Sequence, residues 1–232
     1  MKQLPIGVSS FEVIRKDKYC YVDKTPFIYK LVKEGKYYFL SRPRRFGKSL
    51  FIDTLKQAFL GKKELFIGLY LEKNWDWNTI YPVIHIDFGG SVIQNAEDLK
   101  ERIHTLLERN QKSLNVICKY KKDFRRNLEE LIFQSYKTYN SPVVVLIDEY
   151  DKPILDKIEE KDKAIAIREV LKDFYSVLKP LDVYLKFVFF TGVSKFSKVS
   201  LFSGLNQLMD ITLSKQYSAI CGYTQTGIRR SI

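Results

Sequence analysis

The run Pro142-Val143-Val144-Val145-Leu146-Ile147 carries no polar side chain and passes directly into Asp148-Glu149-Tyr150-Asp151. A strand that is apolar at every position, instead of at alternate ones, is buried on both faces, which requires a parallel sheet covered by helices. Other segments join it. Tyr184 to Phe190 reads as a second buried strand, ending in Thr191-Gly192, and Pro82 to Phe88 as a shorter one closed by Gly89-Gly90. Leu50, Phe51, Thr54, Leu55, Ala58 and Phe59 fall at helical spacing, as do Leu99, Ile103, Leu106 and Leu107. Phe124 to Tyr139 and Ile167 to Leu178 repeat that pattern, the latter stopping near Pro180. The alternation predicts an α/β fold: three layers, with a mostly parallel central sheet flanked by helices.

The stretch Lys36 to Phe51, KYYFLSRPRRFGKSLF, places a chemical motif on that frame. A short apolar strand, a loop ending Phe46-Gly47-Lys48-Ser49 and a helix start are the setting of a phosphate-binding loop. Gly47 lets the backbone approach a phosphate, and the N–H groups at the helix N-terminus point at anionic oxygens. Lys48 is the candidate for the β- and γ-phosphates of ATP, and the Ser49 hydroxyl for Mg²⁺. The loop is irregular. Arg42 stands where the usual pattern has its first glycine, followed by Pro43, Arg44 and Arg45; arginine resists positive φ, and Pro43 has no N–H to offer a phosphate. The acidic end of the strand at 142–147 supplies the second motif, in Walker B form. Asp148 would hold the metal through water, and Glu149 would polarise the attacking water.

Thr191 ends the strand expected between these two motifs, so it is a candidate sensor of the γ-phosphate as well as a plain strand cap. His85 reads as a hydrogen-bonded core residue and His104 as an exposed one. Thr25-Pro26 suits a helix start with Thr25 as N-cap and Pro26 at the first helical position, and Gly35 suits its end. Trp75 and Trp77 read as packing residues in a connector.

Lys+Arg 39 against Asp+Glu 27 gives a formal charge of +12, which favours polyanions in general. The basic run Lys119 to Arg126 reads more simply as a solvated face than as a nucleic-acid surface. Cys20, Cys118 and Cys221 are far apart and form no CxxC pair, a pattern of reduced thiols that points to the cytoplasm. With no long apolar run, a membrane span is not expected.

LPIGVSSFEVI, YVDKT, YYFLSRPRRFGKSLF, VVVLIDEYDKP and FFTGVSKFSKVSLFSGLNQL together resemble the AAA-ATPase-like family, whose loop typically reads RPRRFGKS. The resemblance covers nearly the whole chain. It implies that Arg42 to Arg45 are the family's own form of the loop, and that Asp148 and Glu149 stand in its acidic motif. It also implies an N-terminal extension over residues 1–35, a P-loop NTPase core over 36–213, and the start of a truncated C-terminal lid over 214–232. Residues Arg44, Arg45, Phe46, Gly47, Lys48, Ser49 and Leu50 are then the nucleotide-binding set. Ser49 and Asp148 serve Mg²⁺, while Glu149, Lys48 and Thr191 act in catalysis. Arg44 and Arg45 have three possible uses: bound phosphate, a neighbouring subunit, or acids of the extension. The expected activity is hydrolysis of Mg-ATP. The alternative is a nucleotide-gated interaction module with little turnover, linked to a nucleic acid or protein partner.

Overall fold

The computed structural model describes residues 3–90, 92–194, 201–202 and 204–223. Its centre is a sheet of β1 (Tyr37–Ser41), β2 (Val83–Asp87), β3 (Val143–Asp148), β4 (Leu185–Gly192) and β5 (Met209–Asp210). The order is β2-β3-β4-β1-β5, and every neighbouring pair is parallel. The fold is therefore the expected α/β sandwich of three layers.

Alternation along the strands divides the core in two. Phe39, Val145, Ile147, Val188 and Phe190 face a layer containing α5 (Ala96–Leu114), α6 (Phe124–Tyr139) and α8 (Lys161–Ser176). Tyr38, Leu40, Val144, Leu146, Phe187 and Phe189 face the other layer, with α1 (Phe11–Lys16), α2 (Thr25–Glu34) and α3 (Lys48–Phe59). β1, β3 and β4 are buried almost throughout, which is why they read as unbroken apolar runs.

β2 is an edge strand, and α5 covers its open side with a side chain. Asn110 accepts from the His85 N–H (2.8 Å) and donates to the His85 carbonyl (2.9 Å), as a neighbouring strand would. The His85 main chain is thus satisfied, whereas its Nε2 is buried with no partner among the described residues, and burial pushes the imidazole pKa down. Asn110→Ala is expected to leave two buried backbone groups unpaired and to cost about 2 kcal/mol in urea denaturation.

Around the core, Phe11 donates its N–H to Asp53 of α3 (2.7 Å) and packs its ring at a tilt against Phe66, while Arg15 donates to the Leu65 carbonyl. Trp75 and Trp77 pack against Phe59 and Phe66. Two expectations are corrected. The start of α2 is shifted by one: Lys24 is the cap, Thr25 the first helical residue and Pro26 the second. Asp23 takes the Thr25 N–H, which frees the buried Thr25 hydroxyl to accept from Leu71. His104 is half-buried, with its ring against Phe124 and its Nδ1 buried with no partner among the described residues, because α6 folds back over that face of α5. α7 (Lys152–Leu155) is a single turn after the acidic motif. No helix among the described residues is long and apolar enough to cross a membrane.

Candidate functional site

Parallel strands bring their C-terminal ends to one edge of the sheet, and in open α/β sheets that edge is where ligands bind. Here it collects the ends of β1, β3 and β4, with β4 lying between the other two.

The loop after β1 turns through Arg45 (φ 60°) and Gly47 (φ 91°), and α3 begins at Lys48. Arg42, at the position where a glycine is usual, is not left-handed, so the missing glycine imposes no strain there. Its N–H continues the sheet to the Gly192 carbonyl (3.1 Å). The guanidinium is consumed structurally: it donates to the carbonyls of Ser41 (3.0 Å), Thr212 (2.6 Å) and Tyr217 (3.3 Å). Arg42 thereby ties the loop to the segment that follows β5. A second tie joins the Gly222 N–H to the Phe46 carbonyl (2.9 Å), and a third joins Lys24 Nζ to the Ala219 carbonyl (2.7 Å).

Gly222 is left-handed (φ 74°), and a Cβ there would stand 2.7 Å from the Phe46 ring. Gly222→Ala is expected to cost about 1–2 kcal/mol of stability from the backbone alone, measurable in urea, and to push Phe46 outward.

Lys48 is buried, and its ammonium group donates to the carbonyls of Arg42 and Pro43, each at 3.0 Å. It has no carboxylate partner among the described residues, so its charge is not neutralised by another side chain. Arg44, Arg45, Phe46, Gly47 and Ser49 are exposed, and Leu50 is half-buried. Neither Arg44 nor Arg45 forms an ion pair with the described acids of residues 3–35. As at any helix start, the first N–H groups of α3 have no carbonyl four residues earlier in the helix to receive them.

β3 delivers Asp148, which is 2 % exposed, to the same edge. Thr191 Oγ1, fully buried at the end of β4, donates to Asp148 Oδ1, and the Glu149 N–H donates to that same oxygen at 3.0 Å. Glu149 has φ 52°, the left-handed region, and this turns its side chain away from the strand direction. Burial, followed by the charges of Asp148 and Asp87, raises its carboxyl above the ordinary carboxylate range, and Lys48 and Lys152 oppose the rise.

Asp87 is the residue that sequence reasoning missed. It ends β2, pairs in register with Asp148, and accepts the Gly89 N–H at 2.7 Å. A Cβ on Gly89 would lie 2.9 Å from Asp87 Oδ1 and 3.3 Å from Glu149 Oε2, so Gly89 makes room for both acids. A single acid at the end of a short strand forms no motif; only the pairing of β2 with β3 reveals its position.

The donor types suit Mg²⁺, a hard cation that takes oxygen ligands and keeps several waters. Asp148 supplies a buried carboxylate and Ser49 an exposed hydroxyl. Beside them lie a cation resting on its own main chain and the first N–H groups of α3 next to Gly47, where among the described residues an added Cβ would meet the Gly222 nitrogen at 4.0 Å and nothing nearer.

A five-stranded parallel sheet of this order, with a glycine-lysine-serine helix start on β1 and an acidic end on β3, defines a fold of the P-loop NTPase type. The profile of the family described as "Predicted AAA-ATPase" matches residues 5–202, and the chain belongs to that AAA-ATPase-like family. An "Uncharacterized protein in vnfD 5'region" of Azotobacter chroococcum mcd 1 is 50% identical over 228 residues, which is 98% of this chain and 44% of that protein. The chain therefore spans less than half the length of that relative. No solved structure gives a significant match.

Proposed function

We propose that the chain binds Mg-ATP at the loop Arg44 to Leu50 and hydrolyses it to ADP and phosphate. One observation supports this most: an un-neutralised Lys48 ammonium and the bonded Asp148–Thr191 pair stand at the same edge of the sheet. In this reading the helix N–H groups and Lys48 hold the phosphates, with Arg44 and Arg45 adding charge at the mouth of the loop. Ser49 and Asp148 hold Mg²⁺, whose chemistry is to neutralise charge on the β- and γ-phosphate oxygens. Glu149 takes the proton of a water attacking the γ-phosphorus as the bond to the ADP oxygen breaks. Thr191 fixes the Asp148 carboxylate and completes the sensor position.

The buried cysteines Cys20, Cys118 and Cys221 fit a reducing, cytoplasmic setting. The charge of +12 is compatible with a nucleic acid or protein partner. Steady-state phosphate release from Mg-ATP, compared with nucleotide affinity in the same preparation, tests the proposal. Release at a rate within the ordinary enzyme range supports it. Binding without release converts the reading to a nucleotide-gated interaction module, and neither binding nor release rejects both.

A further inference from the structure

Past Glu149, the acidic motif continues into two residues whose side chains turn to a different strand. Asp151 is fully buried, and among the described residues no cation pairs with it. Its carboxylate accepts main-chain hydrogen bonds instead. Val193 donates to Oδ1 (3.2 Å) and Oδ2 (3.0 Å), and Ser194 donates to Oδ2 (2.6 Å).

Tyr150 works beside it. Its N–H donates to the Thr191 carbonyl (3.0 Å), and its hydroxyl donates to the Ser194 carbonyl (2.8 Å). Gly192 leaves the room for this: a Cβ there would stand 2.3 Å from the Tyr150 ring and 2.6 Å from Asp151 Oδ1. The chain leaving β3 is thus stapled to the chain leaving β4 from the Thr191 carbonyl to Ser194.

We infer that Asp151, assisted by Tyr150, is a positioning residue for the proposed ATPase chemistry: it fixes Thr191 against Asp148 and so sets where the metal-holding carboxylate and Glu149 stand. The inference rests on the reading of Asp148, Glu149 and Thr191 given above. The physical reason is the reach of a short clasp. Thr191 bonds Asp148 through its hydroxyl while its carbonyl takes the Tyr150 N–H, and the next residues are held by one carboxylate with nowhere else to go. A buried carboxylate satisfied by several N–H groups is stiff, since losing any of them strands a charge in the core. Asp151 does not itself touch the nucleotide site, so its effect reaches the chemistry only through Thr191 and Asp148.

Asp151→Asn keeps the shape of the side chain and one acceptor oxygen, but turns an NH₂ group toward N–H donors. The clasp then loosens while the loop at Gly47 to Ser49 keeps its own contacts. In the full chain, kcat for Mg-ATP hydrolysis is expected to fall roughly 100-fold, the loss that follows a displacement of about 1 Å at reacting groups. At saturating Mg²⁺, KM and ATP affinity stay within about twofold, because the loop contacts that hold the phosphates in the ground state are left in place. Tyr150→Phe keeps the ring and removes only the bond to Ser194; it lowers kcat less and in the same direction, with KM again unchanged. If Asp151→Asn does not fold, Tyr150→Phe decides by the same split.

A wild-type kcat in the folded variants overturns the inference and leaves the ATPase reading standing. A fall in kcat matched by an equal loss of ATP affinity shows a merely structural role and also overturns it. In a wild-type chain that binds ATP without turnover, the comparison is read on the Mg²⁺ concentration that gives half-maximal ATP affinity. A rise in that concentration in Asp151→Asn, with affinity at saturating Mg²⁺ kept, supports the inference, and an unchanged value overturns it. A wild-type chain that neither binds nor hydrolyses ATP removes both the inference and the reading beneath it.

Discussion

Glu149→Gln keeps Mg-ATP affinity and loses phosphate release, with turnover falling about 100- to 10,000-fold, the usual contribution of a positioned general base. The substitution preserves size and hydrogen-bonding shape and removes only the ability to take a proton. The left-handed backbone at 149 sets the side chain beside Gly89, and in the proposed reading Asp148, not Glu149, serves the metal, so binding need not change. Burial with Asp148 and Asp87 makes the carboxylate a better base than a surface glutamate, and a glutamine cannot inherit that property. Equal turnover in the variant and the wild type, measured as phosphate release at saturating Mg-ATP, would assign the base elsewhere.

The second large effect is on binding. Lys48→Ala is expected to weaken ATP affinity at least about 30-fold, in line with the 2–5 kcal/mol cost of truncating one partner of a buried charged pair. Stability should change little by comparison. The ammonium bonds only the Arg42 and Pro43 carbonyls of its own loop, which lie beside solvent and can turn to water. The two variants therefore separate cleanly: Lys48→Ala loses binding, and Glu149→Gln loses turnover with binding intact. Lys48→Arg, which keeps the charge on a longer, planar group, restores affinity only partly, since a compact point charge fits between the loop carbonyls and a fork does not.

The sheet was legible because its central strands are buried on both faces, and nothing but an unbroken apolar run satisfies that. β3 and β4 declared themselves in this way, and the place of β4 between the two motif strands followed from the motifs at their ends. The loop Phe46 to Ser49 was legible as a local pattern. What escaped the sequence depends on contacts between distant residues. Arg42 stood out as a misplaced side chain in the turn, yet its role is to bind the Thr212 and Tyr217 carbonyls, about which no nearby residue gives notice. Asp87 becomes a neighbour of Asp148 only through strand register. Asp151 looked like the tail of an acidic motif until β4 was seen to end against it. The same holds for Thr25, whose hydroxyl is claimed by Leu71 and not by its own helix. The expected lid start over 214–232 lies partly outside the described residues, at 224–232.

Arginines surround this loop, and among the described residues two of them, Arg44 and Arg45, form no ion pair. Arg42 is fully engaged by carbonyls, but Arg44 and Arg45 project from an exposed turn, one of them at a left-handed φ that costs a non-glycine residue about 1–2 kcal/mol. Such a conformation persists where the surroundings over-determine it. Here Gly222, bonded to Phe46 one residue later, supplies part of that determination. In the proposed reading, these guanidinium groups meet phosphate oxygens where backbone amides would do so in a glycine-rich loop.

The most direct test is a crystal structure of the chain with Mg²⁺ and a non-hydrolysable ATP analogue. The account predicts phosphate density against the N–H groups of Gly47 to Leu50, Lys48 Nζ on the phosphates in place of the Arg42 and Pro43 carbonyls, and a metal between Ser49 and Asp148. Nucleotide bound elsewhere, or Lys48 still seated on its own loop with the nucleotide present, would contradict it.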